Sequence, residues 1–270
     1  CFKEKKLLME GQTQDCLNAL KGKLLQGNFT CPFRGVSINS RTVAKGELFI
    51  CIKGDRFDGH DFLTDVIEKK VGGIILSDPE KLPSKPIRNE EEPFVIHVQD
   101  TLKALQNLAS FQRKRFPFQV VAITGTNGKS TTKEMIASIL ETKFKTLKTQ
   151  GNLNNHIGVP LTLLKREPSH EMGVLELGMS AAGEIKRLAE IAQPDIGVIT
   201  NISEGHLVQL KSLKDIQSAK GELFDALTEQ STAIVNADDP LVLELARSLR
   251  AKTVTFGIDQ PADVRASEIE

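Results

Sequence analysis

The residues best equipped for chemistry are Thr124-Gly125-Thr126-Asn127-Gly128-Lys129-Ser130-Thr131. Glycines in such a run let backbone N–H groups close around phosphate oxygens. A helix starting there adds partial positive charge, Lys129 adds a full one, and the Ser130 hydroxyl can hold a magnesium ion. The usual phosphate-loop spacing, G-x-x-x-x-G-K-[ST], would need glycine at Ile123, so this is a shorter variant. A nucleotide phosphate site is expected, with a plain turn as the alternative.

Other polar residues cluster where apolar runs end. Glu176 and Gly178 close one run, Asn201, Glu204 and His206 follow a second, and Asn236, Asp238 and Asp239 follow a third. Glu176 lies between Leu175 and Leu177. It is either a strand residue facing water or, in a strand buried on both faces, a carboxylate that wants a cation. His206 is a loop histidine or a metal ligand, and Asp238-Asp239-Pro240 could simply cap a helix. Lys220 falls inside the apolar stripe of Leu213, Ile216, Leu223 and Leu227. It either snorkels to water or holds its amine where solvation is poor, which lowers the pKa and makes it reactive.

These groups need elements to position them, and strand and helix patterns alternate almost throughout. Strands are expected at 47–52, 73–76 and 94–98, with helices at 62–71 and from Asp100 or Thr101 to about 115. Residues 78–93, rich in proline and glutamate, read as loop. Phe116-Pro117-Phe118 breaks the helix and marks a domain boundary. Beyond it, strands are expected at 120–124, 174–177, 196–200, 233–236 and 253–256, and helices at 129–144, 182–192, 212–229 and 240–249. Repeated β-α units of this kind imply a mostly parallel sheet with helices on both faces. Ligands in such sheets gather beyond the carboxyl ends of the strands, which is where the polar groups fall.

Composition narrows the classes. The chain has 270 residues, 40% of them hydrophobic, enough for one large domain or two modest ones. Lys+Arg and Asp+Glu are both 35, which argues against a nucleic-acid or polybasic membrane surface. No apolar run is long enough for a membrane helix. Cys1, Cys16, Cys31 and Cys51 have neither zinc nor redox-pair spacing, so reduced thiols in a cytoplasmic protein are expected. Trp and Tyr are absent, so stacking on a sugar or base would fall to Phe or His. The chain starts at Cys1 and stops at Glu270 without a closing element, and a fragment is expected.

Several segments together resemble the Mur ligase family, the ATP-dependent amide-forming enzymes of peptidoglycan precursor synthesis. They are 37–41 (SINSR), 54–62 (GDRFDGHDF), 149–160 (TQGNLNNHIGVP), 175–185 (LELGMSAAGEI), Thr200-Asn201-Ile202 with His206, and 219–224 (AKGELF). The match covers nearly the whole chain. It is nearest to the member that adds D-alanyl-D-alanine to UDP-N-acetylmuramoyl-tripeptide. The resemblance implies an α/β fold in two parts: a small N-terminal α/β UDP-substrate-binding domain (1–116) and a central ATP-binding P-loop domain (117–270), incomplete at its end. By the same resemblance, the C-terminal Rossmann-like domain that family members carry is expected to be missing from these 270 residues.

Roles follow by the same resemblance. Gly125, Thr126, Asn127, Gly128, Lys129, Ser130 and Thr131 would hold the ATP phosphates, and Asn236 would approach the adenine. Ser130, Glu176 and His206 would bind magnesium, two ions in all. Lys220 would become a carbamate helping to hold the second ion. Lys129, Lys220 and His206 would be catalytic, and Ser40, Arg41, Asn152 and Asn155 would touch the UDP-linked substrate. Two departures stand out: Asn39 where the family usually has Asp, and Ser130 where relatives often have Thr. The implied partners are UDP-N-acetylmuramoyl-tripeptide and D-alanyl-D-alanine, with no nucleic acid and no membrane insertion, in a monomer. The implied chemistry is phosphoryl transfer to a carboxylate and then acyl transfer to an amine; the 270 residues alone would be a poor catalyst. The alternatives are another ligase of the superfamily, adding the third peptide residue or glutamate to folate, and a P-loop switch without ligase activity.

Overall fold

A computed structural model describes residues 10–83, 92–204 and 212–268. The chain divides into two compact units, Cys1–Arg115 with Leu163–Pro168, and Phe116–Thr162 with Ser169–Glu270.

The first unit contains β1 (Glu10–Gln12), α1 (Thr13–Ala19), β2 (Lys23–Gln26), β3 (Pro32–Arg34), β4 (Val36–Ser37), β5 (Leu48–Ile50), α2 (Leu63–Glu68), β6 (Gly73–Leu76), β7 (Phe94–His97) and α3 (Thr101–Arg115). β1 and β3 form an antiparallel pair. The main sheet has the order β2-β7-β6-β5-β4, with β4 to β7 parallel and β2 antiparallel at one edge. Its core gathers Phe49, Ile74, Leu76 and Val95 from the strands with Leu63 and Val66 of α2, while Val43 enters from the β4–β5 connection. The expected strand at 47–52 is shorter. The expected helix at 62–71 is also shorter and follows a 3₁₀ turn, Gly59–Phe62, capped by the Asp58 carboxylate. Within the proline-rich loop, Pro79–Lys81 forms one 3₁₀ turn.

The second unit contains β8 (Gln119–Thr124), α4 (Lys129–Glu141), β9 (Thr146–Lys148), α5 (Gly158–Leu164, all but its last two residues), β10 (Met172–Glu176), α6 (Glu184–Ala192), β11 (Ile196–Ile199), α7 (Leu213–Asp225), β12 (Thr232–Asn236), α8 (Pro240–Ala246), β13 (Lys252–Gly257) and β14 (Val264–Arg265). All seven strands run parallel in the order β14-β13-β12-β11-β8-β10-β9. β8 lies between β10 and β11, in register Glu176↔Ile123 and Ile199↔Thr124. The ends of these three strands are therefore level. Apolar residues of β8, β10 and β11 pack with Ala137, Ile136 and Leu140 of α4. The helix expected to reach 144 stops at Glu141, where the Thr142 hydroxyl donates to the Ile139 carbonyl at 2.7 Å.

Candidate functional site

The phosphate-loop residues join β8 to α4 through a backbone that only glycine adopts easily. Gly125 has φ +147°, and a Cβ there would lie 1.9 Å from Thr200 Oγ1. Gly128, at the N-cap of α4, is left-handed with φ +78° and brings no side chain to cap the helix. That leaves the helix start free of a side-chain cap, as anion binding requires. The segment after β11 holds the loop in shape. Thr126 N–H donates to Asn201 O (2.9 Å), Asn127 N–H to Asn201 Oδ1 (3.0 Å), and Thr200 Oγ1 to Asn127 O (2.7 Å).

Glu176, at the end of β10, is 2% exposed, which removes the reading that it faces water. Ser130 Oγ donates to its Oε2 and Asn154 Nδ2 to its Oε1, each at 2.8 Å. Its backbone N–H donates to Thr149 Oγ1 at 3.0 Å. Ser130 and Glu176 thus meet with two oxygens suited to a hard divalent cation. Asn154 was not legible as a site residue. It sits among the asparagines of 152–155, and its contact depends on a fold across 22 residues. Gly178 makes room for it: a Cβ there would come within 2.8 Å of the Asn154 amide.

Lys220 does not snorkel. It is 1% exposed, and its Nζ donates to Gly125 O at 2.8 Å. Burial, with the nearby charge of Lys129, lowers its pKa from 10.5 to about 8. Leu213, expected in the same apolar stripe, is 37% exposed, because α7 buries its face only from Ile216 onward. Lys129 Nζ folds back onto Gly125 O (2.8 Å) and Thr126 O (2.9 Å). Burial pushes its pKa down, and the Glu176 carboxylate partly offsets that. Glu222, two residues beyond Lys220, accepts from Gly183 N–H (2.6 Å) and Lys186 N–H (2.8 Å), tying the start of α6 to α7.

A cavity of about 360 Å³ opens among these groups, lined by Gly125, Lys129, Asn152, Asn154, Asn155 and Lys220, among others. Asn152 and Asn155 therefore reach the same space as both lysines. Asn155 also caps α5, accepting from Ile157 N–H (3.1 Å) and Gly158 N–H (2.9 Å).

Other polar residues at strand ends serve the fold. Asp239 accepts from Leu241 N–H, Val242 N–H and Ile202 N–H, and Asp238 accepts from Ile258, Asp259 and Gln260 N–H. These bonds hold the Asp238 pKa below the usual carboxylate range. Asn236 closes β12, donating to Thr200 O and accepting from Asp238 N–H. Glu204 is exposed, and His206 lies outside the described residues. Among the described residues no three His, Cys, Asp or Glu side chains converge as a metal cluster.

Ser40 and Arg41 belong to the first unit, where Lys69 Nζ donates to their carbonyl oxygens at 2.6 and 2.8 Å. Asn39 Oδ1 accepts from Arg41 N–H at 3.0 Å. A carboxylate oxygen would accept the same bond, so Asn in place of Asp keeps this turn.

Residues 123–270 match the Mur ligase middle domain, and residues 32–113 match the Mur ligase family, catalytic domain. The UDP-N-acetylmuramoyl-tripeptide–D-alanyl-D-alanine ligase of Bacillus subtilis (strain 168) is 43% identical over 237 residues, 87% of this chain and 50% of that protein. The enzyme of the same name from Escherichia coli (strain K12) is 38% identical over 228 residues, 84% of this chain and 47% of that one. A crystal structure of MurF from Acinetobacter baumannii superposes with TM-score 0.86 at 34% identity, over 98% of this chain and 56% of that one. MurF ligase from Thermotoga maritima in complex with ADP gives 0.73 at 32% identity, over 84% and 51%. The chain spans about half the length of the curated relatives it matches.

Proposed function

From the premise that this chain belongs to the Mur ligase family, we propose that it is part of an ATP-dependent ligase adding D-alanyl-D-alanine to UDP-N-acetylmuramoyl-tripeptide. The convergence of Lys129, Ser130, Glu176 and Lys220 on one loop is the observation that carries this reading. A pure nucleotide switch needs the first two; it leaves a buried lysine on the Gly125 carbonyl without a purpose. In this reading residues 1–116 bind the UDP-linked substrate and residues 117–270 bind ATP, in a cytoplasmic monomer acting in peptidoglycan precursor synthesis.

The reaction follows from the groups present. The terminal carboxylate of the tripeptide attacks the γ-phosphorus of ATP, the bond to the β-phosphate oxygen breaks, and ADP leaves. The amine of D-alanyl-D-alanine then attacks the acyl phosphate; the C–N bond forms, phosphate departs, and the amine gives up a proton. Lys129 turns from its own carbonyls to the phosphates, where its charge counts most as charge moves to the leaving group. Loop N–H groups and the uncapped start of α4 orient the phosphate chain. Magnesium, which the Ser130 and Glu176 oxygens fit, supplies charge neutralisation when bound. His206 is proposed as a further ligand.

Lys220 is proposed to carry a carbamate, formed when its neutral amine adds to carbon dioxide and loses a proton. Burial and a lowered pKa favour the neutral amine this needs. Asn236 is proposed near the adenine, and Asn152, Asn155, Ser40 and Arg41 at the UDP-linked substrate. A dry site must shield the acyl phosphate, so the 270 residues alone are a poor catalyst. Phosphate release by the full-length protein should need ATP and both substrates; release indifferent to them would overturn the proposal.

A further inference from the structure

Strands β4 to β7 of the first unit are parallel, and β4 pairs directly with β5 in register Val36↔Leu48 and Ser37↔Phe49. The segments following β4 and β5 therefore leave the sheet side by side at its carboxyl edge, where open α/β sheets bind ligands. The segment after β4 leads into Ser40 and Arg41.

The segment after β5 is a tight reversal. Lys53 and Asp58 form an isolated antiparallel backbone β-bridge, Gly54 N–H donates to Phe57 O, and Gly59 N–H to Ile52 O, both at 2.9 Å. Asp58 locks its base: the carboxylate accepts from His60 N–H (3.0 Å), from the His60 ring at Nδ1 (2.5 Å) and from Lys81 Nζ (3.1 Å). The ring is fixed in turn, since its Nε2 accepts from Ser77 N–H at 2.9 Å. That bond leaves Nδ1 to carry the proton.

On this braced turn the Phe57 ring is 67% exposed. A turn needs no aromatic residue, and an exposed ring forgoes the gain of burial. With no Trp or Tyr in the chain, stacking on a planar base must come from Phe or His. Phe29, also exposed, lies between β2 and β3, and β2 runs antiparallel to β7, so it leaves from the opposite edge. Phe116, at 36% exposed, follows α3. Among the described residues Phe57 is the exposed aromatic ring at the carboxyl edge, with Arg56 beside it as a cation suited to a diphosphate.

We propose that Phe57 is the stacking face for the uracil ring of the UDP-linked substrate. This rests on the proposal that the first unit binds such a substrate. Equilibrium binding of UDP, ribose 5-phosphate and ATP to the 270-residue chain tests it. Phe57→Ala should weaken UDP by about 5- to 100-fold and leave ribose 5-phosphate and ATP unchanged. Phe57→Trp should bind UDP at least as well, and its indole, the sole tryptophan, should lose fluorescence with UDP but not with ribose 5-phosphate. An alanine variant with wild-type UDP affinity, or a tryptophan variant blind to UDP, overturns the role of Phe57 and leaves the substrate reading standing. A wild-type chain that binds ATP and not UDP sinks both. Phe57 is exposed, so an unchanged melting temperature in each variant confirms that the fold is intact.

Discussion

Lys129 and Lys220 donate to the same atom: each Nζ lies 2.8 Å from the carbonyl oxygen of Gly125. Two ammonium groups on one neutral oxygen repel, and the charge of Lys129 is one reason the Lys220 pKa falls. A phosphate bound by the loop would relieve that repulsion.

This pairing separates the two lysines by experiment. Lys220→Met keeps most of the stem and removes the charge. In the full-length ligase, turnover should fall by about a hundredfold or more. ADP affinity, measured by titration calorimetry, should stay within about threefold. A parallel loss of ADP affinity would make Lys220 a phosphate contact and nothing more. If the amine is carbamylated, stripping carbon dioxide should lower wild-type activity and bicarbonate should restore it, with no response from the methionine variant.

Stability should register the same amine. Folded Lys220 titrates near 8 and unfolded lysine near 10.5, so between these values the unfolded chain binds more protons. Stability must then rise with pH across that window. The penalty for burying the charge is complete below 8 and gone above 10.5, and amounts to roughly 3 kcal/mol at most. Lys220→Met should be more stable than wild type at pH 7, with the gap in melting temperature narrowing as pH rises to 10. A gap independent of pH would mean that burial does not lower the Lys220 pKa and that the amine stays protonated in the folded chain.

Ser130 and Asn154 hold opposite oxygens of Glu176, so their losses should differ in kind. Ser130→Thr keeps the hydroxyl and should change turnover little. Ser130→Ala should raise the magnesium concentration for half activity and cost roughly a hundredfold in turnover. Asn154→Ala frees one carboxylate oxygen and should also raise the magnesium requirement, by less. Gly178→Ala, by pushing the Asn154 amide away, should imitate it. An unchanged magnesium requirement in all of these would remove Glu176 from the metal site.

Long periodic segments and the phosphate loop were legible in the sequence because their signals are local. α3 and the strands β6, β8 and β11 need only apolar runs and a cap such as Asp100, which accepts from Lys103 N–H at 2.9 Å. The elements β1, α1, β2, β3, β4, β9, α5 and β14 were not legible: none carries an unbroken apolar run like that of β6 or β11, and pairing decides. In the site, Glu176 and Lys220 stood out as charges in apolar surroundings. Asn154 and Glu222 did not, because what each does depends on its partner, an oxygen of Glu176 for one and the start of α6 for the other. Of the polar strand ends, Asp239 caps α8, which is the helix-cap reading of the sequence, and Asp238 spends its oxygens on the backbone N–H groups of 258–260.

Asp239 nonetheless reaches the phosphate loop at one remove. Its Oδ1 caps α8, while its Oδ2 accepts from Ile202 N–H at 2.7 Å, next to the Asn201 that holds Asn127. Asp239→Ala removes all three bonds, to Leu241, Val242 and Ile202 N–H, and should cost about 2–4 kcal/mol, from a lost cap and a buried donor left unpaired. Asp239→Asn can keep the cap through its one oxygen and loses the bond to Ile202. It should melt between wild type and Asp239→Ala, and bind ADP several-fold more weakly, because Asn201 is no longer pinned. Wild-type ADP affinity in Asp239→Asn would show that the residue only starts a helix, and that the loop takes its shape from Thr200 and Asn201 alone.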